Sequence, residues 1–299
     1  MKARQGFDYA MLALLWGSSF LVMHRTIIPF GWVGVVTFRA FIASGLLVLF
    51  ALLTRRRLVF GAPWWRFAIV GATTVVGQLV FLAYAVQSIG TAMSAILVAT
   101  IPLFSMIIGH FWRIETITAL GRVGTGLGAL GTVALVGFPA VPITSGFMLG
   151  CGAMVLSTLS AAIGSNYARL HLGAVSSFDS TIATFFFGGL IALPLLLLVP
   201  VPGPVGLSDV AWIVFLAASM SSLTYVLYFR LVAEVGATIA ISVEFVVTTV
   251  AVVLGAVVLH EALTWVQVAG GAVIIAGCLL VLGLDPRALA AYGKRPPLE

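Results

Sequence analysis

Long apolar runs, separated by short segments rich in polar residues, Gly and Pro, dominate the chain. Most runs approach about 20 residues, the length that an α-helix needs to cross the hydrocarbon core of a bilayer. The runs are continuous rather than alternating, which excludes a transmembrane β-barrel. The pattern predicts an all-α integral membrane protein. Its ten predicted transmembrane helices are Tyr9–Met23, Trp32–Leu53, Phe67–Gln87, Thr91–Trp112, Ala119–Gly137, Phe147–Tyr167, Phe178–Val199, Val210–Leu231, Thr238–Leu259 and Trp265–Leu284.

One stretch of the chain occurs twice. Residues 83–136 and 229–282 align without a gap at a constant offset of 146 (236 − 90). A Glu-x-x-Thr match in the same register is not expected by chance, so we interpret the stretch as an internal duplication. The residues that coincide are Gly90 with Gly236, Gly109 with Gly255, Glu115 with Glu261, Thr118 with Thr264, Gly124 with Gly270, and Gly131 with Gly277.

The duplication predicts how the chain is divided. The expected boundaries are a first repeat at 1–142, a second repeat at 143–284 and a polar cytoplasmic tail at 285–299. Each repeat would hold five helices, and five is odd, so the second repeat must enter the membrane from the opposite side. Such inverted repeats are common in secondary transporters, whose substrate sites lie near the midplane between the halves.

Composition and charge agree with a chain that lies in lipid. The sequence is 62% hydrophobic and only 8% charged, whereas soluble domains carry about 25% charged residues. With a cytoplasmic N-terminus, thirteen of the 15 basic residues fall at inner helix ends; Arg25 lies in an outer loop and Arg39 within a helix. The positive-inside rule therefore predicts that both termini are cytoplasmic. The net charge of +6 is then an insertion signal and does not indicate a nucleic-acid partner.

Two positions break the aliphatic character of the first and third helices. Trp16 stands in Trp-Gly-Ser-Ser-Phe together with Ser19, too deep for an aromatic belt at the membrane surface. The motif fits either close helix packing or the wall of a substrate pathway. Gln78 lies near the middle of its helix, where a side-chain amide needs a partner from a neighbouring helix or from a polar substrate.

Further polar residues in the spans are weaker candidates, because hydroxyl groups can bond to carbonyls of their own helix. Tyr225 adds an aromatic ring with a polar end. These residues are Ser94, Ser157, Thr158, Ser160, Ser221, Ser222, Thr224 and Tyr225. The candidate substrate-binding set is Trp16, Ser19, Gln78, Ser94, Ser160, Tyr225 and Glu244.

Two charged residues fall within predicted spans. Ionisable groups at membrane depth are candidates for function. The topology places Arg39 toward the outer face and Glu244 toward the inner face, too far apart in depth to form an ion pair. Arg39 is a possible charged pathway residue, or it bonds to helix carbonyls. Glu115 and Glu261 occupy equivalent turns, and we expect them to stabilise the positive end of the helix that follows each.

The sequence offers no sign of catalysis or of a bound cofactor. Cys151 and Cys278 lie in apolar runs and suggest neither a disulfide framework nor a metal site. A metalloprotease motif, a nucleophile elbow and a P-loop are all missing. We therefore expect no enzyme, no metal and no cofactor.

The Trp16-to-Phe20 motif, Arg39, and two apolar runs each followed by Glu-x-x-Thr and a Gly-rich helix resemble the EamA branch of the drug/metabolite transporter superfamily. The resemblance covers nearly the whole chain and implies ten helices in two inverted repeats. Within the branch the chain is similar to YddG-type exporters of aromatic and other neutral amino acids. The Pro that typically precedes the loop Glu is present as Pro102, whereas Thr248 takes its place in the second copy.

The resemblance implies a secondary transporter of the bacterial-type inner membrane that exports small amphipathic metabolites by alternating access. Neutral or aromatic amino acids are the expected substrates, and a monomer is the expected working unit. Two alternatives stay open. A nucleotide-sugar or sugar-phosphate carrier would need Lys or Arg deep in the cavity, where only Arg39 is available. An integral membrane enzyme would need paired acids or metal ligands at bilayer depth.

Overall fold

A computed structural model describes residues 3–113, 119–137, 142–228 and 243–281. These residues form helices and connecting segments without a strand, and six of the helices are long and apolar enough to cross a membrane. The prediction of an all-helical membrane protein is therefore confirmed. The helices are α1 (Ala3–Leu53), α2 (Trp64–Ile89), α3 (Thr91–Phe111), α4 (Ala119–Gly137), α5 (Ser145–His171), α6 (Ser177–Leu197), α7 (Leu207–Tyr228), α8 (Val243–Val258) and α9 (Trp265–Val281).

Helix α1 is broken at Gly31, which has a φ of 70° and a ψ of 165°. A positive φ favours Gly because it lacks a Cβ, and Pro29 weakens the preceding turn because it lacks a backbone N–H. A Cβ on Gly31 would lie 3.2 Å from Cδ of Pro202. The helix therefore consists of two arms, 3–30 and 32–53. The first arm extends beyond the predicted Tyr9–Met23 at both ends.

The two arms of α1 run in opposite directions along α7. Along the first arm, the contacts pass from Arg25 at the beginning of α7 to Trp16 near its end. The contacts of the second arm run the other way. Gly31 lies beside Pro202, before α7 begins, and Arg39 bonds to Ser221 further along α7. The chain thus turns back at Gly31, and the two arms form a helical hairpin.

Helices α2 and α7 each contain a stretch of π-helix, at Gly71–Val80 and Ala218–Leu223. Hydrogen bonds there reach one residue further than in an α-helix, and such wide turns are frequent at functional sites. Adding 146 to the first stretch gives 217–226, which contains the second. Hydropathy did not predict these turns, because it reports which residues are apolar and not how the backbone hydrogen bonds are arranged.

Proline explains two further departures from regular helix. Helix α3 is interrupted at residues 99–100, just before Pro102. Pro102 has no N–H to donate to a carbonyl in the preceding turn. Helix α6 ends in the 3₁₀ turn Leu193–Leu197, which contains Pro194, and it therefore stops short of the predicted Val199.

Helices α4 and α9 meet through glycines at equivalent positions of the two repeats. A Cβ on Gly131 would lie 2.6 Å from the carbonyl O of Gly270, and one on Gly277 would lie 2.5 Å from the carbonyl O of Gly124. The contact is reciprocal, because 124 and 131 become 270 and 277 when 146 is added. Reciprocal contacts are what a two-fold axis between two equivalent helices produces. Gly124 and Gly131 of α4 thus pack against α9 of the same chain.

The prediction that Glu261 stabilises the helix that follows it was wrong. Its Oε1 accepts a hydrogen bond from the N–H of Thr91 (2.6 Å), and its Oε2 accepts one from the N–H of Ala92 (2.7 Å). Glu261 therefore caps α3, whereas the helix that follows it, α9, is capped by Thr264 and Gln267. The turn that holds Glu115 and Thr118, the segment that holds Gly236, and the polar tail lie outside the described residues.

Candidate functional site

Arg39 of α1 is buried in the bundle, with 5% of its surface exposed. Its Nε donates a hydrogen bond to Oγ of Ser221 (2.6 Å), and its Nη2 donates one to the carbonyl O of Met220 (3.0 Å). Both partners lie in the π-helical stretch of α7. That wide turn supplies hydrogen-bond acceptors for the buried cation, which offsets part of the cost of burying it.

Trp16 of the first arm packs against two tyrosines of α7. The ring centroids of Trp16 and Tyr225 are 5.9 Å apart in an edge-to-face arrangement, and those of Trp16 and Tyr228 are 5.3 Å apart and tilted by 42°. Phe185 of α6 adds a further edge-to-face contact with Tyr225 at 5.2 Å. Four rings from three helices therefore meet in the interior of the bundle.

Glu244 stands beside this group of rings. It is the second residue of α8, between the fully buried Val243 and the 2% exposed Val247, yet it keeps part of its own surface accessible. The next turn of α8 packs against the residue that follows Trp16, because a Cβ on Gly17 would lie 3.1 Å from the carbonyl O of Val247. Among the described residues Glu244 makes no hydrogen bond and no ion pair.

Tyr225 connects the two charged residues of the spans. The charges of Arg39 and Glu244 both act on its hydroxyl, although the described residues contain no ion pair between these two side chains. The structure thus brings together Trp16, Arg39, Tyr225 and Glu244, which the sequence proposed separately. We call this group, with Tyr228, the aromatic cluster.

Gln78 and Ser160 belong to a second contact, between α2 and α5. The Oγ of Ser157 donates a hydrogen bond to the carbonyl O of Gln78 (2.7 Å). A Cβ on Gly77 would lie 2.7 Å from Oγ of Ser160, so the two helices touch here. The side-chain amide of Gln78 is half-buried and has no hydrogen-bond partner within the part of the chain that the structure describes.

The hydroxyls of Ser19 and Ser94 bond within their own helices. Ser19 donates to the carbonyl O of Trp16 (2.6 Å), and Ser94 donates to the carbonyl O of Gly90 (2.7 Å). The structure places Ser19 one turn from Trp16, whereas Ser94 is fully buried near the beginning of α3. Hydrogen bonds of this kind are typical of residues that pack between helices.

Sequence reasoning missed Tyr228 and Phe185. Tyr228 follows Tyr225 by three residues, and two polar aromatic residues at helical spacing in an aliphatic span were a usable signal. Phe185 is one of three consecutive phenylalanines, and no local pattern distinguishes the one that faces the bundle. Among the described residues, no three His, Cys, Asp or Glu side chains come together to hold a metal ion.

Comparison with known proteins gives a consistent result. The model of the EamA-like transporter family matches the chain twice, at residues 9–137 and 148–283. Protein PecM of Dickeya dadantii is 25% identical over 238 residues, which cover 79% of this chain and 78% of PecM. The uncharacterized inner membrane transporter YedA of Escherichia coli K12 is 27% identical over 285 residues, which cover 91% of this chain and 89% of YedA.

A solved crystal structure has the same fold. It superposes with a TM-score of 0.67 and covers 96% of this chain and 99% of its own, at 19% sequence identity. At that identity the likeness establishes the fold alone. The double family match and the apolar helices lead to one conclusion: the chain is a multi-pass membrane transporter of the drug/metabolite transporter superfamily and belongs to the EamA-like transporter family.

Proposed function

We propose that this transporter exports small amphipathic metabolites, above all neutral and aromatic amino acids. The observation that carries the proposal is the aromatic cluster, in which rings of α1 and α7 stand beside Arg39 and Glu244. Small-molecule sites are mostly apolar, with a few polar groups that set the orientation of the ligand. An aromatic amino acid offers the matching combination of an apolar ring and two charged backbone groups.

The proposed mechanism is alternating access between two inverted halves, residues 1–142 and 143–284. The double family match, the π-helical stretches at equivalent positions and the reciprocal glycine contact of α4 and α9 support such a two-fold arrangement. Each arm of α1 exceeds about 20 residues and is long enough to span a bilayer. With these arms counted separately, the chain would have ten spans, five in each half. The two halves would rock around a central site.

We propose the inner membrane of a bacterial-type cell as the location, with both termini in the cytoplasm. The relative YedA is named as an inner membrane transporter, and the inner helix ends carry most of the basic residues. A monomer is sufficient in this proposal, because the close glycine contacts of α4 are used within the chain.

Gln78 and Ser160 would form a second, polar wall of the same pathway. The half-buried amide of Gln78 has hydrogen-bonding capacity that no described residue uses, and it lies in the π-helical stretch of α2. A substrate that accepts this hydrogen bond would compensate for the cost of the buried amide. Ser19 and Ser94 support this wall only indirectly, because their hydroxyls bond to their own helices.

The test is counterflow of radiolabelled L-phenylalanine in proteoliposomes that contain the purified transporter. We expect Trp16→Ala and Gln78→Ala to reduce the initial rate about three- to tenfold at sub-saturating substrate, which corresponds to the loss of one hydrogen bond or ring contact. The control is Ser88→Ala, because the hydroxyl of Ser88 bonds to a carbonyl of its own helix. Parent-like rates for both Trp16→Ala and Gln78→Ala would show that neither the aromatic cluster nor the wall at Gln78 binds the substrate.

A carrier of nucleotide sugars or sugar phosphates is the weaker alternative. A phosphate needs cationic groups with free hydrogen-bond donors. Arg39 already uses its Nε and Nη2 for Ser221 and Met220. Counterflow of a nucleotide sugar in the same proteoliposomes, without counterflow of phenylalanine, would favour this alternative.

A further inference from the structure

We propose that Trp16, Tyr225, Tyr228 and Glu244 form a binding site for an organic ammonium group, and that this site recognises the amine of the substrate rather than its carboxylate. The inference rests on the proposed function for its transport assay, but the site itself is argued from the structure. Its ligands are amines that carry an apolar or aromatic group, with or without a carboxylate.

The first argument is the geometry of the rings. The ring centroid of Trp16 lies 5.9 Å from that of Tyr225, with the planes at 71°, and 5.3 Å from that of Tyr228, with the planes at 42°. The rings of each pair are therefore inclined and do not cover each other's π-faces by parallel stacking. A cation above the face of Trp or Tyr is attracted by the ring quadrupole, most strongly where water is excluded.

The second argument is that these side chains are deep in the bundle and still partly accessible. Trp16, Tyr225 and Tyr228 pack against the main hydrophobic core, and Glu244 lies between buried residues of α8. Each of the four nevertheless keeps an accessible fraction of its surface. On α7, Thr224 and Leu227 are 0% and 5% exposed, whereas Leu223 and Val226 are 42% and 40% exposed. Tyr225 and Tyr228 are intermediate between these two sets, so they combine packing in the core with access for a ligand.

The third argument is the state of the carboxylate. Glu244 lies one turn before Val247, where α8 packs against Gly17 beside Trp16, and it has no hydrogen bond and no ion pair among the residues that the structure describes. A carboxylate at membrane depth without such a partner is costly. An ammonium group held against the rings would supply three hydrogen-bond donors and the opposite charge.

The fourth argument is that only one of the two repeats carries this chemistry. At the offset of 146, the counterparts of Tyr225, Tyr228 and Glu244 are Leu79, Leu82 and Val98. These counterparts are apolar and 6–7% exposed. Packing in this fold therefore accepts aliphatic residues at such positions, so it does not by itself require the aromatic and acidic residues of the second repeat. Binding of a cation makes use of all three of them.

The bonding of Arg39 explains why the site should prefer an amine to a carboxylate. Two of its donor groups, Nε and Nη2, are occupied by Ser221 and Met220, one turn before Tyr225 on α7. It therefore acts as a fixed positive charge of the framework and less as a free receptor for a carboxylate. An amine that lacks a carboxylate therefore keeps its interactions with the three rings and with Glu244.

The test compares phenylethylamine, its N,N,N-trimethyl form and 3-phenylpropionate as ligands of the purified full chain. Binding is measured by isothermal titration calorimetry and by quenching of tryptophan fluorescence. We expect both amines to bind and to inhibit phenylalanine counterflow, whereas 3-phenylpropionate does neither. Binding of 3-phenylpropionate with an affinity equal to that of phenylethylamine would overturn the inference, with no variant needed.

Variants then test the named residues. We expect Glu244→Gln to weaken phenylethylamine binding about tenfold or more and Tyr228→Leu to weaken it about tenfold. Tyr228→Phe keeps the ring and should lose less than Tyr228→Leu. Tyr84→Leu is the matched control, because Tyr84 packs on Trp32 outside the cluster. If Glu244→Gln binds phenylethylamine like the parent, the site is not the one proposed.

Different results would refute the ammonium site and the exporter proposal. Phenylalanine counterflow without any binding of phenylethylamine would refute the ammonium site and leave the exporter proposal intact. Binding of phenylethylamine that depends on Glu244, without counterflow of phenylalanine, would refute the amino acid proposal and leave the ammonium site intact.

Discussion

The cap that Glu261 places on α3 allows a quantitative prediction. Its two carboxylate oxygens accept hydrogen bonds of 2.6 and 2.7 Å from the N–H groups of Thr91 and Ala92. Hydrogen bonds to charged groups contribute about 1.5–3 kcal/mol each, and loss of an ordinary N-cap costs about 0.5–2 kcal/mol. Glu261 is half-buried, so water can replace part of the lost bonding. We therefore expect Glu261→Ala to lower the free energy of unfolding by about 2–3 kcal/mol.

The matched variant is Glu261→Gln, which keeps one oxygen acceptor and removes the charge. It should cost about 1 kcal/mol, since one neutral hydrogen bond and the favourable charge at the helix N-terminus are then changed. Thermal unfolding of the detergent-purified chain is the assay. At about 2–4 °C per kcal/mol for a chain of this size class, Glu261→Ala should lower Tm by about 4–12 °C. A Tm equal to that of the parent, or an equal loss for Ala and Gln, would refute the capping role.

Three further predictions concern two of the contacts described above and the orientation inferred from the basic residues. Arg39→Met should lower the free energy of unfolding by about 1–3 kcal/mol, because Ser221 and Met220 lose their buried donor; an unchanged Tm would contradict this. Gly131→Leu should prevent normal insertion or strongly lower Tm, since even a Cβ would lie 2.6 Å from the carbonyl O of Gly270; Gly126→Leu, where a Cβ meets nothing within 4 Å, is its control. Cysteine at position 202 should react with an impermeant thiol reagent from outside the cell and cysteine at position 295 should not; the reverse labelling would refute the orientation.

The aromatic cluster suggests how a duplicated scaffold acquires one asymmetric site. The equivalent positions of the first repeat hold Leu79, Leu82 and Val98, which are buried in the core. In the proposed arrangement of two related halves, packing needs only apolar residues at these positions, whereas the proposed ligand needs charged and aromatic partners in one place only. The polar groups therefore concentrate near α7 and α8, next to the π-helical turn that accepts Arg39.

The amino-acid sequence by itself determined that the protein is an all-helical membrane transporter of its family. Lipid offers no hydrogen bonds to the backbone, so apolar runs of this length must be helices. The runs therefore specify helix positions to within a few residues, as α5 and α9 illustrate. The ten-span inverted arrangement and the substrate class stay predictions.

Only the tertiary structure decided which side chains meet. Trp16, Tyr225 and Glu244 are distant in the sequence, and their proximity depends on how α1, α7 and α8 are rotated and packed. Hydrophobic periodicity does not reveal which side of a helix faces the bundle when the helix is apolar on every side. The same holds for Glu261, whose carboxylate caps α3 rather than the helix that follows it. The local sequence pattern can identify an acidic residue at a helix end. Which helix that residue caps depends on the packing between the repeats.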